Sequence, residues 1–138
     1  MRARRESGTM TLWLLGVCLM LFALGGVSLD LWRAFSERRS LAAAADAGAL
    51  AGASAIDEAA YRSSGTVALL PALAEARARA QIAQQLDRGS LRAVSVHADG
   101  EAVTVVIDGE VGFTLLGILQ RGDFAVRVTA TATPRRSV

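Results

Sequence analysis

Five polar residues in the C-terminal half are the first candidates for chemistry. His97 is the only histidine, so it cannot form a two-histidine metal site, or a Ser-His-Asp triad by itself. Asp99, Glu101, Asp108 and Glu110 are close in sequence and offer oxygen ligands for calcium, but their spacing fits no EF-hand loop. Acidic residues of turns explain them more simply. We therefore predict no catalytic residue, no metal site and no cofactor.

Two other acids lie where a charge is costly or unusual. Asp30 ends a long apolar run, where a carboxylate must be hydrated or paired, and Arg33 is a suitable partner three residues on. Asp46 lies inside a run of alanines. It could cap a helix, pair with Arg38 or Arg39, contact another subunit, or be a solvated charge. We expect Asp30, Arg33 and Asp46 to act in membrane anchoring or assembly.

The apolar run before Asp30 has the length of a membrane-spanning helix. No charged residue occurs from Thr9 to Leu29, and about 20 helical residues cross a bilayer core of about 30 Å. In lipid, backbone polar groups must be paired within the segment, which favours a helix. Trp13 and Trp32 lie near its two ends, at the depth that indole rings prefer. We predict a transmembrane helix over residues 9–30.

The distribution of charge predicts the orientation of this helix. Arg2, Arg4 and Arg5 precede the span, while the flank after it has a smaller positive excess. The positive-inside rule then places residues 1–8 in the cytoplasm and the C-terminal domain outside the cytoplasmic membrane. The net charge is only +2, and no basic face with interleaved aromatic residues is evident. Nucleic acid is therefore not an expected partner.

Three other interpretations of the apolar run fit its sequence less well. A cleaved secretory signal has an apolar core of about 7–15 residues with a small-x-small site directly after it, whereas here the run is longer and charged residues follow. A lipoprotein would be modified at Cys18, the only cysteine, but the bulky Val17 precedes it. A buried soluble helix does not account for the length of the run or its arginine flank. A permanent anchor is the main prediction.

The helical pattern continues beyond the span, over residues 31–56. Alanine, the strongest helix former, dominates this stretch. Small residues recur at every fourth position in two stripes, which allow another helix or a sheet to approach closely. The stripes are Ala44, Gly48 and Gly52, and Ala45, Ala49 and Ala53. The spacing leaves two compatible interpretations open: packing on the chain's own domain, or a surface for other subunits that includes Gly48 and Gly52.

Residues 57–138 predict a small outer domain of the α+β class. A loop is expected from Asp57 to Pro71, followed by a helix from Ala72 to Arg88 that Gly89 ends. The apolar side of this helix is predicted to consist of Ala76, Ala80, Ala83 and Leu86.

Alternating apolar residues predict strands over 91–98, 101–108 and 124–133. Asp99-Gly100 indicates a hairpin with a type I′ turn between the first two. Residues 111–120 fit a short amphipathic helix as well as a strand. The predicted architecture is a long transmembrane helix that continues into the outer domain, a second helix and a small antiparallel sheet whose apolar face the helices cover.

The N-terminal residues resemble those of a known family. Arg5-Glu6-Ser7-Gly8 precedes the apolar span, Asp30 ends it, and an Ala-Asp-Ala-x-Ala-Leu-Ala-Gly-Ala run extends from Ala45 to Ala53. This arrangement resembles the N-terminus of TadE/TadG-like proteins, pilin-like components of the tight-adherence (Flp) pilus machinery. The resemblance is close over residues 1–56. The C-terminal part of TadE/TadG-like domains is also similar to this chain, in Phe113-x-x-Leu116-Gly117-Ile118 and the last β run.

The resemblance implies a pilin-like fold and a role as a minor pilin-like or assembly component of a Tad/Flp-type pilus system, acting by helix packing and subunit contacts. Its partners would be the lipid bilayer and other pilus subunits, with no small-molecule substrate. Type IV-like prepilins are cut after a glycine, which would be Gly8 here, with Thr9 as the first mature residue. The usual glutamate at the fifth mature position is replaced by Trp13. This departure favours the TadG-like branch or a relative that keeps its anchor.

The sequence leaves two alternative functions of other classes open. One is a membrane-tethered extracytoplasmic binding or sensing module unrelated to pili, and the other is an accessory subunit of an enzyme. An enzyme would need a pocket with converging ionisable groups, which the sequence does not indicate. Co-purification with pilus proteins or with a soluble ligand separates the first of these from the pilus prediction.

Overall fold

The computed structural model describes residues 6–86, 91–113, 117 and 124–134. Contacts divide the chain into two compact units, residues 1–35 with 112–123 and residues 36–111 with 124–138. The predicted α+β class is confirmed. Within the described ranges the elements are the helices α1 (Glu6–Ala53), α2 (Glu58–Ser64) and α3 (Pro71–Gln85), and the strands β1 (Leu91–Ala98), β2 (Val103–Val111) and β3 (Phe124–Ala132).

Helix α1 contains both the apolar run and the alanine-rich segment, and it ends at Ala53. The predicted continuation of the helix past Asp30 is therefore confirmed, with an end slightly before Ile56. Arg77 of α3 donates to the backbone oxygen of Ser54 at 3.1 Å and to its hydroxyl at 3.2 Å. This contact pairs a carbonyl directly after the helix end, where backbone acceptors have no intrahelical donor.

The segment between α1 and α3 is not the plain loop that its sequence predicted, because it contains the short helix α2. The Asp57 carboxylate caps this helix by accepting the backbone N–H groups of Ala59 and Ala60, each at 3.0 Å. Gly65 ends it in the left-handed region, at φ 70°, where glycine has no Cβ to clash. The aspartate cap and the glycine stop were the sequence signals for this helix.

Helix α3 turns a different face to the core from the one predicted. The three alanines of the predicted apolar side, Ala76, Ala80 and Ala83, are exposed, whereas Leu86 is buried as predicted. The buried residues of the helix are Ala74, Ala78 and Ile82. Both faces carry alanine, but only one carries Ile82, and burying the bulkier side chain removes more apolar surface from water. The predicted end at Arg88 is wrong, because the helix ends at Gln85 and Leu86 is already extended. The predicted stop at Gly89 lies outside the described residues.

The three strands form an antiparallel sheet in the order β1-β2-β3. Strand β1 has the predicted bounds, β2 is shifted towards the C-terminus relative to 101–108, and β3 ends one residue before Thr133. In the middle of the sheet Val96 pairs with Val105, and Val105 pairs with Ala130. The inward face of β2 is the predicted one. Val103, Val105 and Ile107 are each 0% exposed.

The hairpin between β1 and β2 is confirmed, but its predicted turn type is wrong. A type I′ turn needs positive φ at both central residues, and Gly100 does not have positive φ. Instead, the Asp99 carboxylate accepts the N–H of Glu101 at 2.8 Å and of Ala102 at 2.7 Å. The Asp99 N–H donates to the Ala102 oxygen at 3.0 Å. The aspartate side chain thus organises a wider loop, which delays the start of β2 to Val103.

The core of the second unit lies between the sheet, α3 and the alanine-rich end of α1. Leu41, Ala45 and Ala49 of α1 are at most 1% exposed, as are Ala74 and Ala78 of α3. They pack in one cluster with the inward residues of β2. Small residues on both helices bring their backbones close to the sheet, which gives this unit a single apolar core.

Candidate functional site

The N-terminal part of α1 exposes apolar side chains along its length. Phe22 is 81% exposed, and Trp13 is 75% exposed. The most apolar window has a mean hydropathy of 2.3, and 6% of it is buried within the molecule. A helix of this length and composition is able to cross a membrane, which is consistent with an anchor. A groove on this helix is lined by Leu21, Phe22, Gly25, Gly26 and Leu29, none of which can do acid–base or nucleophilic chemistry.

Asp30 is the buried acid of this segment, at 2% exposed. Both Asp30 and Arg33 interact with other residues, and Arg33 is exposed. A buried carboxylate without a partner costs several kcal/mol in a poorly hydrated site. The interaction of Asp30 with another residue avoids this cost. The predicted role of these two residues at the membrane boundary remains a prediction.

Gly48 and Gly52 lie where α1 approaches its own domain most closely. A Cβ built on Gly52 would be 2.9 Å from Val103 Cγ1 and 3.0 Å from the Ala74 backbone oxygen. A Cβ on Gly48 would be 2.7 Å from Ile82 Cγ1. The buried stripe is thus filled by α3 and β2 of the same chain. These two glycines are closed to another subunit in this structure, and contacts between subunits would have to use another face of α1.

Asp46 lies on that other face and is exposed. Among the described residues it forms no ion pair, neither with Arg38 nor with Arg39. Leu50, four residues on along the helix, is 67% exposed, and residues four apart are neighbours on a helix surface. The outer face of α1 in the second unit therefore presents a carboxylate next to a large apolar side chain. We call Asp46 and Leu50 the outer patch.

Gly8 and Thr9, the predicted processing site, lie near the start of α1. Thr9 is exposed and interacts with another residue. The peptide bond that a prepilin peptidase would cut is thus part of a helix. Cleavage at this bond remains a prediction.

Two of the acids assigned to turns instead form ion pairs between strands, which corrects that prediction. Arg127 Nε donates to Asp108 Oδ1 at 2.6 Å, and Arg127 Nη2 donates to Oδ2 at 3.2 Å. This two-point contact lowers the pKa of Asp108 and raises the pKa of Arg127. Glu110 forms an ion pair with Arg92 of β1, through Arg92 Nη2 and Glu110 Oε1. Neither acid is available as a metal ligand.

Asp99 is a turn residue, as predicted. The backbone N–H groups of Glu101 and Ala102 lower the pKa of its carboxyl group by bonding to the ionised form. His97, next to this loop, is exposed on β1. Within the described ranges no three of the possible metal-ligating side chains come together.

A pair on α3 has a contact that its spacing did not predict. Glu75 and Arg79 are four residues apart and form an ion pair along the helix, with Arg79 Nη2 at 3.2 Å from Glu75 Oε2. Arg79 Nη2 also donates to the Val96 backbone oxygen at 3.3 Å, and Glu75 Oε1 accepts the Ala98 N–H at 3.3 Å. Together they bind the outer edge of β1. We call this pair the clasp.

Comparison with known proteins gives one result. Residues 8–61 match the family model described as "Putative Flp pilus-assembly TadE/G-like". The matched segment includes the apolar part of α1, the small-residue stripe and the start of α2. The match confirms the TadE/TadG-like resemblance for residues 8–61 and supports a role related to Flp pilus assembly. No curated protein and no solved structure was found to match the chain.

Proposed function

We propose, on the premise that residues 8–61 belong to the TadE/G-like family, that the protein is a minor pilin-like or assembly component of a Tad/Flp-type pilus system. It acts by anchoring a small domain to the cytoplasmic membrane and by contacting other subunits, and not by catalysis. The family match is the observation that carries this proposal.

The construction of α1 supports an anchoring role. The matched segment contains an exposed apolar part, suited to lipid, and an alanine-rich part that is packed into a folded domain. Helix α1 therefore includes both the segment proposed as the anchor and a segment that belongs to the folded domain.

The orientation follows from charge. The arginines before the apolar part favour a cytoplasmic N-terminus, so residues 36–138 would lie outside the cytoplasmic membrane. Asp30 and Arg33 then lie near the outer boundary of the bilayer, where a buried acid and an exposed arginine both have access to polar groups.

The outer patch is the proposed contact with other pilus subunits. Gly48 and Gly52 are occupied by the chain's own core, whereas Asp46 and Leu50 face outwards. An exposed leucine gives apolar contact area, and the neighbouring carboxylate gives charge complementarity to a basic partner. We therefore place the assembly contact of the alanine-rich helix on the face that carries Asp46 and Leu50, and not on Gly48 and Gly52.

Co-purification tests this function. A tagged full-length chain, extracted from membranes of its native cells with mild detergent, is expected to carry other Flp pilus-assembly proteins that mass spectrometry identifies. Leu50→Glu should reduce their recovery, while Ala76→Glu, at an exposed site on α3, should not. Recovery of the chain with a soluble ligand and without any pilus protein would contradict the proposal and favour a membrane-tethered binding module.

A further inference from the structure

The two edges of the sheet are different. On β1, the clasp occupies the outward backbone oxygen of Val96 and the outward N–H of Ala98. A further strand cannot pair there without displacing both side chains. Blocking an edge with charged side chains is a common way to prevent unwanted strand addition. The β1 edge is therefore blocked at Val96 and Ala98, and we call it the closed edge.

The register of the sheet fixes which backbone groups of β3 point outwards. Val96 and Ala98 direct their backbone N–H and C=O groups away from β2. Because these directions alternate along a strand, Ala93, Ser95 and His97 of β1 exchange hydrogen bonds with β2. Those residues pair with Thr104, Val106 and Asp108 of β2. By alternation, Val103, Val105 and Ile107 of β2 then bond to β3, through Ala132, Ala130 and Val128. The outward N–H and C=O groups of β3 belong to Ala125, Arg127, Thr129 and Thr131.

No partner for these outward groups occurs in the described part of the chain. The inward side chains of β3 are also incompletely covered. Val126 and Val128 are only half-buried, whereas Val105 and Ile107 on β2 are fully buried. The β3 edge therefore has both unused hydrogen-bonding groups and apolar surface that another strand would cover.

We propose that this edge pairs with β3 of a second copy of the chain, antiparallel and around a two-fold axis at Thr129. The two sheets then form one sheet of six strands. The identical strand is self-complementary in this register: Thr129 lies opposite its own copy, and Arg127 lies opposite Thr131 of the second copy. Threonine pairs stabilise antiparallel sheets. A register centred on Arg127 is disfavoured because it would place like charges opposite each other.

The closed β1 edge limits this assembly to two copies. Each chain contributes one open edge, and the two open edges occupy each other, so the interface is isologous and closed. The Asp108 ion pair holds the Arg127 side chain on the exposed face of the sheet, which leaves its backbone free to pair. The dimer needs no pilus protein, so its presence or absence is independent of the proposed function.

Disulfide trapping tests the edge. In a full-length Cys18→Ser chain, kept in membranes and treated with a mild oxidant, Thr129→Cys should give covalent dimer. Antiparallel partners lie about 5.5 Å apart between Cα atoms, within the span of a disulfide. Ser95→Cys is the matched control, since Ser95 is exposed and lies in the same cross-strand row on the closed edge. Dimer from Thr129→Cys should exceed dimer from Ser95→Cys about tenfold, given this geometric requirement.

The register has its own test. A mixture of Arg127→Cys and Thr131→Cys chains should form more covalent dimer than either chain alone, because the two positions face each other only between copies. Equal trapping from Ser95→Cys and Thr129→Cys, or no dimer from Thr129→Cys, would overturn the proposal.

A second variant keeps the proposal testable without cysteine chemistry. Thr129→Pro removes an outward N–H that has no partner in the described part of the chain, and proline is tolerated at such edge positions. The purified variant should keep the circular dichroism spectrum of the parent chain and become monomeric in light scattering. A variant that stays folded and dimeric would also overturn the proposal.

Discussion

At the residue scale, the packing of α1 depends on two positions without a side chain. Gly52→Ala places a methyl group against the Ala74 backbone oxygen, 3.0 Å away, and against Val103 Cγ1. Overpacking costs about 1–3 kcal/mol, against a gain of about 1 kcal/mol in helix propensity. We expect Gly52→Ala to destabilise the domain in denaturant unfolding followed by circular dichroism.

Gly48→Ala should also destabilise the domain, because its Cβ would lie 2.7 Å from Cγ1 of Ile82, a β-branched side chain that is buried in the core. One control separates these effects from a general effect of alanine. Gly100→Ala meets nothing within 4 Å and should be close to neutral. A Gly52→Ala chain as stable as the parent would show that the helix is not held as closely as the structure indicates.

The Asp108–Arg127 pair makes stability depend on pH in the acid range. Its contact lowers the pKa of Asp108 below the ordinary value of 3.8, and a carboxyl group whose pKa is lower when folded stabilises the fold above its unfolded pKa. That contribution is lost as the pH falls through the folded pKa. The parent should therefore be more stable than Asp108→Asn at neutral pH, and the difference should shrink in acid. A difference that persists unchanged at low pH would contradict the ion pair.

These residue contacts were only partly predictable. The lone histidine and the spacing of the acids indicated no metal site, but assigning Asp108 and Glu110 to turns was wrong. Their partners, Arg127 and Arg92, lie on other strands, and only the register shows that they meet. Sequence spacing identifies partners along one helix, as for Glu75 and Arg79, and does not identify partners across a sheet.

At the element scale, the clasp controls which edge of the sheet is open. Glu75→Ala with Arg79→Ala would free the outward groups of β1 while β3 remains open. With two open edges, the chain should form species larger than the dimer, because pairing no longer closes. Light scattering coupled to size-exclusion chromatography measures this.

A matched control for the clasp exists on α2. Glu58 and Arg62 form an i,i+4 ion pair of the same type on the surface, and among the described residues their side chains hydrogen-bond to each other and to no strand. Alanine at both positions should leave the oligomeric state unchanged. A clasp variant of the same size as the parent would mean that the β1 edge is closed by something other than Glu75 and Arg79.

Elements with strong periodicity were predicted well, and short ones were not. Strands β1 and β3 had the expected bounds to within one residue because their alternation is regular. Helix α2 was missed because its seven residues bury nothing, so no apolar periodicity marks them. The face of α3 was assigned wrongly because two alanine stripes compete, and a single isoleucine decides between them.

At the scale of the whole molecule, the anchor should be permanent. The position that is usually glutamate in processed prepilins is Trp13 here, and the Gly8–Thr9 bond lies within α1. We expect the chain isolated from its native membrane to keep the residues before Gly8, as intact-protein mass spectrometry would measure. A mature chain that begins with Thr9 would instead indicate pilin-type processing.

The resemblance to the TadE/TadG-like family was within reach of the sequence because the run from Ala45 to Ala53 is specific, and the family-model match confirmed it for residues 8–61. The packing partners of that run could not be predicted from the sequence. Spacing allowed the small residues to face the chain's own domain or another subunit, and only the packed structure shows Gly48 and Gly52 against Ile82 and Val103. Side chains from distant parts of the chain decide this, and no local pattern contains them.

The central claim, that a membrane-crossing helix holds this domain outside the cytoplasm, is tested most directly by paired topology reporters fused after Val138. One reporter should be active only in the cytoplasm and the other only outside. The account predicts activity of the outside reporter alone, from a chain that stays in the membrane fraction. Activity of the cytoplasmic reporter alone, or a chain that remains soluble without detergent, would contradict it.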